Sequence, residues 1–172
     1  MFREIGTADV LCITTNGFVK RNGEAVMGRG CAKQAAELWP WLPTTLGRAI
    51  NEGHGNTPKY LMTVDDKTQI WSFPVKPESC YVTQNRDNVV QHMKYQFLPG
   101  QVMPGWASKA HIGMIIDSAI FFRELADSRG WVRIAMPRPG CGAGELDWWD
   151  NVRPVLLNKV GLDGRFIVYT YK

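Results

Sequence analysis

The residue types in this sequence that could do chemistry on an anion are concentrated in two glycine loops. Gly140-Cys-Gly-Ala-Gly144 follows the apolar run Val132-Arg-Ile-Ala-Met and precedes a segment that Asp147 could cap as a helix. Glycines at such a junction let backbone N–H groups approach an anion, and the helix dipole adds to the attraction. The same loop would also serve as a tight connection and nothing more. It lacks the Gly-Lys-Ser/Thr ending of a P-loop and does not lie in a first βα unit, so neither common nucleotide fingerprint fits. Asn16-Gly17 and Gly28-Arg-Gly30 supply a second loop of the same kind, again after a buried strand. Ligands of open α/β sheets sit beyond the carboxyl ends of the strands, so two such loops could grip one extended phosphorylated ligand from both sides. Asn16 would then meet a sugar hydroxyl, although Asn-Gly is also a favoured turn pair.

The elements that must position these loops alternate in type. Val10-Leu-Cys-Ile-Thr-Thr reads as a strand buried on both faces, and the alanine-rich end of Met27 to Trp39 as a helix stopping before Pro40. Tyr60 to Val64 and Gln69 to Phe73 flank a polar turn, as two strands would. Asp117 onward has helical character with Gly130 as its stop, and Val132 to Met136 is a further strand. A helix capped by Asp147 would run to about Val160, kinked or delayed by Pro154, and Arg165 onward closes the chain as a strand. Alternating strands and helices predict an α/β sheet covered on both faces. Glu78 to Ala110 has only weak patterning with Pro-Gly punctuation and reads as a long irregular excursion inside a single domain spanning 1–172.

Composition narrows the classes. The chain has 172 residues, seven Trp, seven Phe and five Tyr, enough for a sizeable core and unlike a disordered or fibrous composition. No apolar run reaches membrane-span length and the first residues do not resemble a signal peptide, so a soluble, cytoplasmic protein is expected. The net charge of +4 is dispersed rather than gathered into a nucleic-acid groove. Cys12, Cys31, Cys80 and Cys141 lie far apart without metal spacing, which points to reduced thiols, no metal and no cofactor. Cys141, at a helix N-terminus, could be a reactive thiol. His54, His92 and His111 have no paired acid or nucleophile in local sequence. Trp148-Trp149 could leave one indole near a cleft, and Tyr169 and Tyr171 could wall a base.

Thr14-Thr-Asn-Gly, Val26-Met-Gly-Arg-Gly-Cys-Ala, Phe73-Pro-Val-Lys76 and Pro137-Arg-Pro-Gly-Cys-Gly-Ala-Gly-Glu-Leu-Asp-Trp148 together resemble macro domains. Order and spacing are nearest to the branch with the DarG antitoxins and the terminal ADP-ribose glycohydrolase, and to phage-type relatives. The resemblance implies a three-layer α/β/α sandwich with a central mixed sheet that binds ADP-ribose at the strand ends. Asn16 and the loop Met27, Gly28, Arg29, Gly30 and Cys31 would hold the distal ribose. Gly140, Cys141, Gly142, Ala143 and Gly144 would wrap the diphosphate. Lys76 matches the lysine to which that branch assigns catalysis at the ribose C1'' carbon. Asn16 would join it in catalysis, positioning water if the substrate is ADP-ribose 1''-phosphate.

Three departures stand out. The Gly-Asp whose acid reads adenine is replaced by Gly6-Thr7, with Asp9 the nearest acid to take its place. The acid of the glycohydrolase relative falls at Gly144. Phe18 to Ala25 is an insertion in the first loop. The expected function is a hydrolase of ADP-ribose derivatives, acting on an ADP-ribosylated macromolecule or as an ADP-ribose 1''-phosphate phosphatase. The alternatives are a non-catalytic ADP-ribose reader and a nucleotide- or nucleic-acid-binding protein. No membrane partner is expected, and nucleic acid enters the main reading only as a modified substrate.

Overall fold

The computed structural model describes residues 1–53 and 55–170. Its centre is a five-stranded sheet in the order β2-β3-β1-β6-β7, formed by β1 (Val10–Asn16), β2 (Tyr60–Val64), β3 (Thr68–Lys76), β6 (Ile134–Pro137) and β7 (Phe166–Tyr169). β2 runs antiparallel to β3 and the other neighbours are parallel, so the sheet is mixed. The strands alternate their side chains between two cores. Val10, Cys12, Trp71, Phe73, Ile134 and Met136 face α3 (Ile112–Arg129) and the last helical segment, residues 148–160. Leu11, Ile13, Ile70 and Ala135 face α1 (Gly30–Leu38) and α2 (Leu42–Glu52). The central strands are apolar at successive positions because each face is covered, as parallel strands between helices require. The result is the three-layer α/β/α arrangement. No described helix is long and apolar enough to cross a membrane.

Helix ends follow local chemistry. Gly130 ends α3 in the left-handed region at φ 65°, where a side chain would be strained. Asp147 caps the last helical segment as expected, its Oδ1 accepting from the N–H groups of Trp149 and Asp150, both at 2.7 Å. Pro154 does not delay that segment. It sits at the start of a short α-helical stretch, Arg153–Val155, between π-helical turns at Trp148–Val152 and Leu156–Val160.

The stretch 78–110 is mostly irregular but carries short regular elements. β4 (Ser79–Tyr81) and β5 (Val102–Pro104) form a small antiparallel sheet over its own apolar cluster of Val82, Val89, Met103 and Ala107. Short 3-10 turns at Gln91–Met93 and Gly105–Ala107 complete it. Its return to the main sheet is fastened by the N–H groups of Ala110 and His111, which donate to Gly144 O at 2.9 Å and Val75 O at 2.8 Å.

Candidate functional site

A cleft of about 550 Å³ opens at the carboxyl ends of the parallel strands. β1 and β3 pair in regular register until a shift between Thr15 and Asn16, which sets Asn16 opposite Lys76. Both residues line the cleft, with Gly28, Arg29, Gly30 and Cys31 on one side and Gly140 to Gly144 on the other. The two loops and the strand-end lysine, scattered over the sequence, therefore meet in one place.

Lys76 is 6% exposed. Its Nζ donates to the carbonyl oxygen of Ala143 at 2.8 Å and to that of Trp106 at 3.4 Å. Burial pulls its pKa down to about 8, against the raising effect of the Glu145 carboxylate and with a further lowering from Arg29. A neutral amine holding two carbonyls by its two hydrogens keeps its lone pair for a third direction.

Asn16 is partly engaged. Its Nδ2 donates to Val26 O at 2.9 Å and its Oδ1 accepts from Phe18 N at 3.0 Å, closing the first loop as an Asx turn. The insertion folds into a narrow ribbon in which Val19 bridges Ala25, and Ala25 N donates to Pro43 O. It packs toward α2, and Phe18 to Ala25 do not line the cleft.

In the second loop the N–H groups of Gly142, Ala143 and Gly144 have no acceptor among the described residues. Gly144 has no space for the glycohydrolase acid: a Cβ there would lie 2.5 Å from Gly140 O and 2.6 Å from the Ala110 Cβ. The neighbouring acid, Glu145, has a left-handed backbone at φ 58°, and its carboxylate accepts the N–H of Gln91 at 2.8 and 3.0 Å. Cys141 is not activated. Burial pushes its thiol up to about 11 and outweighs the helix-terminus effect that suggested reactivity.

Two expected binding residues lie elsewhere. Asp9 precedes β1, at the end of that strand remote from Asn16, and its Oδ2 accepts from Val132 N at 2.8 Å and Arg133 N at 2.9 Å. Its carboxylate holds the entry of β6 and does not meet the cleft. Met27 turns inward at 6% exposure and packs in the core that covers α1, leaving its neighbours Val26 and Gly28 on the cleft wall.

Other lining residues had weak sequence signals or none. Tyr169 lines the far end of the cleft, its hydroxyl donating to the buried Glu4 carboxylate, which also pairs with Arg133 at 2.7 Å. Tyr171 and His54 lie outside the described residues. Arg138 joins Tyr169 at that end, its guanidinium 5.3 Å from the Trp148 ring centre and 5.6 Å from that of Trp149, the more exposed indole. His92, Met93 and Trp106 reach the Lys76 end from the stretch 78–110, whose weak pattern gave no hint of them.

Mixed sheet, flanking helices and strand-end cleft together make this the macrodomain fold. Among solved structures it is similar to DarG macrodomains. That of Mycobacterium tuberculosis matches at a TM-score of 0.63 and 19% identity over 96% of this chain and 90% of its own. That of Thermus aquaticus matches at 0.61 and 16%, over 96% and 89%. Thermosipho africanus DarTG, solved in complex with ADP-ribose, matches at 0.63 and 18%, over 95% of this chain and 38% of its own. No family model matches the sequence, and no curated protein matches it.

Proposed function

We propose that the cleft binds ADP-ribose and that the protein is a hydrolase of ADP-ribose derivatives centred on Lys76. The observation that carries this reading is one buried lysine that lines a cleft with both glycine loops and is held by Ala143 and Trp106, with three N–H groups of the second loop that have no acceptor among the described residues. The ADP-ribose in the similar Thermosipho africanus structure supports the choice of ligand. In this reading the N–H groups of Gly142 to Gly144 take the diphosphate, where fixed donors need no reorganisation. Asn16, Gly28 and Gly30 border the distal ribose, and Arg138 and Tyr169 border the adenine.

Lys76 acts at C1''. With a pKa of about 8, about a tenth of the lysine is neutral at pH 7. The C1''–N bond to Lys76 forms as the departing group leaves with the bonding electron pair and takes up the proton that the new ammonium gives off. Water then adds at C1'' as the C1''–N bond breaks, its hydroxyl going to the ribose and its proton to the nitrogen, which restores the neutral amine. The test is single-turnover release of ADP-ribose from modified protein and modified oligonucleotide, and of phosphate from ADP-ribose 1''-phosphate, by wild type and Lys76→Ala. Loss of ADP-ribose release in the variant supports the lysine route, and undiminished release refutes it. The phosphatase version predicts phosphate release that survives the change.

One observation favours a second reading, a non-catalytic ADP-ribose reader. The position of the glycohydrolase acid is Gly144, where backbone closes the space a side chain would need. Saturable binding with no turnover of any of these substrates would establish it.

A further inference from the structure

The stretch 78–110 reaches across the cleft, and what holds it there is specific. Its apolar cluster of Val82, Val89, Met103 and Ala107, against which Met93 packs, is separate from the two main cores, so that packing ties the Gln91–Met93 turn to the excursion and not to the glycine loops. Two polar links join that turn to the glycine loops. Gln91 N donates to both carboxylate oxygens of Glu145, and the Arg29 guanidinium donates to His92 Nε2 at 3.2 Å. Arginine has only donors, so in this link the imidazole nitrogen is the acceptor.

Glu145 is built for the contact. It directly follows the packed Gly144, and its backbone is left-handed at φ 58°, a conformation that non-glycine residues rarely keep without a compensating interaction. That conformation points the carboxylate out of the glycine loop toward the Gln91 amide. The turn so held brings His92 and Met93 over the cleft, next to Trp106, whose carbonyl accepts from Lys76.

We propose that Glu145 is a positioning residue, a clasp that holds the Gln91–Met93 turn as a roof over the Lys76 end of the cleft and so controls access to the lysine. This rests on the reading of Lys76 as the reactive group. His92, Met93 and Trp106 of the excursion so line the cleft with Lys76, which is 6% exposed. The charged groups that bear on Lys76 are the Glu145 carboxylate and the Arg29 guanidinium, with the titratable Cys80 thiol beside them, so loss of the carboxylate also changes the lysine's charge environment.

Roof and charge separate experimentally in Glu145→Gln and Glu145→Ala. Glutamine keeps one oxygen acceptor for the Gln91 amide, and alanine keeps none; both remove the charge. Two measurements need no ligand: residue-resolved hydrogen exchange at the Gln91 amide, and acetylation of Lys76 by trace acetic anhydride against pH, read by mass spectrometry. Losing a charged hydrogen bond should speed Gln91 exchange by about tenfold or more in Glu145→Ala and by less than about threefold in Glu145→Gln. The midpoint of Lys76 acetylation should fall in both variants, because the carboxylate that raised the lysine's pKa is gone, but the plateau rate should rise only in Glu145→Ala. Equal plateaus in the two variants, or Gln91 exchange in Glu145→Ala at the wild-type rate, would overturn the clasp. A third arm measures ADP-ribose dissociation by stopped flow, expected to be faster in Glu145→Ala than in Glu145→Gln. Wild type that binds no ADP-ribose would defeat the functional reading while the first two arms still decide the clasp.

Discussion

Lys76 donates through Nζ to the carbonyl of Ala143 at 2.8 Å, tying the end of β3 to the glycine loop that leaves β6. The lysine and the loop therefore form one unit, and the polarity of the cleft floor depends on both. In the proposed function this fixes the anion donors and the amine relative to each other, an arrangement that would spare reorganisation during reaction.

Lys76→Ala should separate binding from turnover. Its Nζ faces carbonyl oxygens rather than the N–H groups assigned to the diphosphate, so ADP-ribose affinity should change by less than about fivefold. Turnover should fall by about a hundredfold or more if the amine acts at C1''. Single-turnover kinetics beside equilibrium titration check both halves.

The same lysine should make stability depend on pH. Its folded pKa of about 8 lies below the ordinary 10.5, so the unfolded chain binds the proton more readily. Below pH 8 the folded state bears the full penalty, which fades as pH rises from about 8 to about 10.5. A difference of that size corresponds to at most about 3 kcal/mol, reduced by the two hydrogen bonds that methionine would forgo. Lys76→Met should thus be more stable than wild type by about 1–2 kcal/mol at pH 7, with the advantage shrinking at pH 10. Urea unfolding at the two pH values measures this, and a constant advantage would contradict it.

Gly144→Ala should damage the loop. Its Cβ would meet backbone oxygen and the Ala110 methyl well inside contact distance, a small-to-large change costing about 1–3 kcal/mol. Gly142 has nothing within 4 Å of a built Cβ, so Gly142→Ala should leave thermal stability nearly unchanged. Comparing the two melting temperatures tests whether the loop is packed at one glycine and open at the other.

Asp9 should act on the fold and not on the ligand. Asp9→Ala leaves two backbone N–H groups just before β6 without their acceptor and, with the Val132 end open to water, should cost about 0.5–1.5 kcal/mol. ADP-ribose affinity at a temperature where the variant is folded should match wild type, because the residue stands at the other end of β1. Loss of affinity with unchanged stability would return Asp9 to the site.

The central strands were legible because burial on both faces demands continuous apolar runs, as Val10 to Ile13 show. The Asp147 cap and the Gly130 stop were legible because local backbone chemistry dictates them. Lys76 emerged only through resemblance, since nothing in Phe-Pro-Val-Lys reveals that a strand end will be buried under two loops. The inward turn of Met27 was not legible because loop sequence does not tell which side chains turn inward. The backbone contacts of Asp9 were not legible because its two partners, Val132 and Arg133, lie far away in the chain. The roof escaped notice for a physical reason: strands of three residues and a four-residue apolar cluster are too short to display a period.

The most direct measurement is calorimetric titration of wild type and Gly142→Glu with ADP-ribose, using AMP and ADP as controls. The open space at Gly142 lets the variant fold while adding a carboxylate beside the free N–H groups. Saturable wild-type binding that requires the distal ribose, lost in Gly142→Glu, is the predicted result. Absence of wild-type binding, or equal affinity in the variant, would contradict the assignment of this cleft to ADP-ribose.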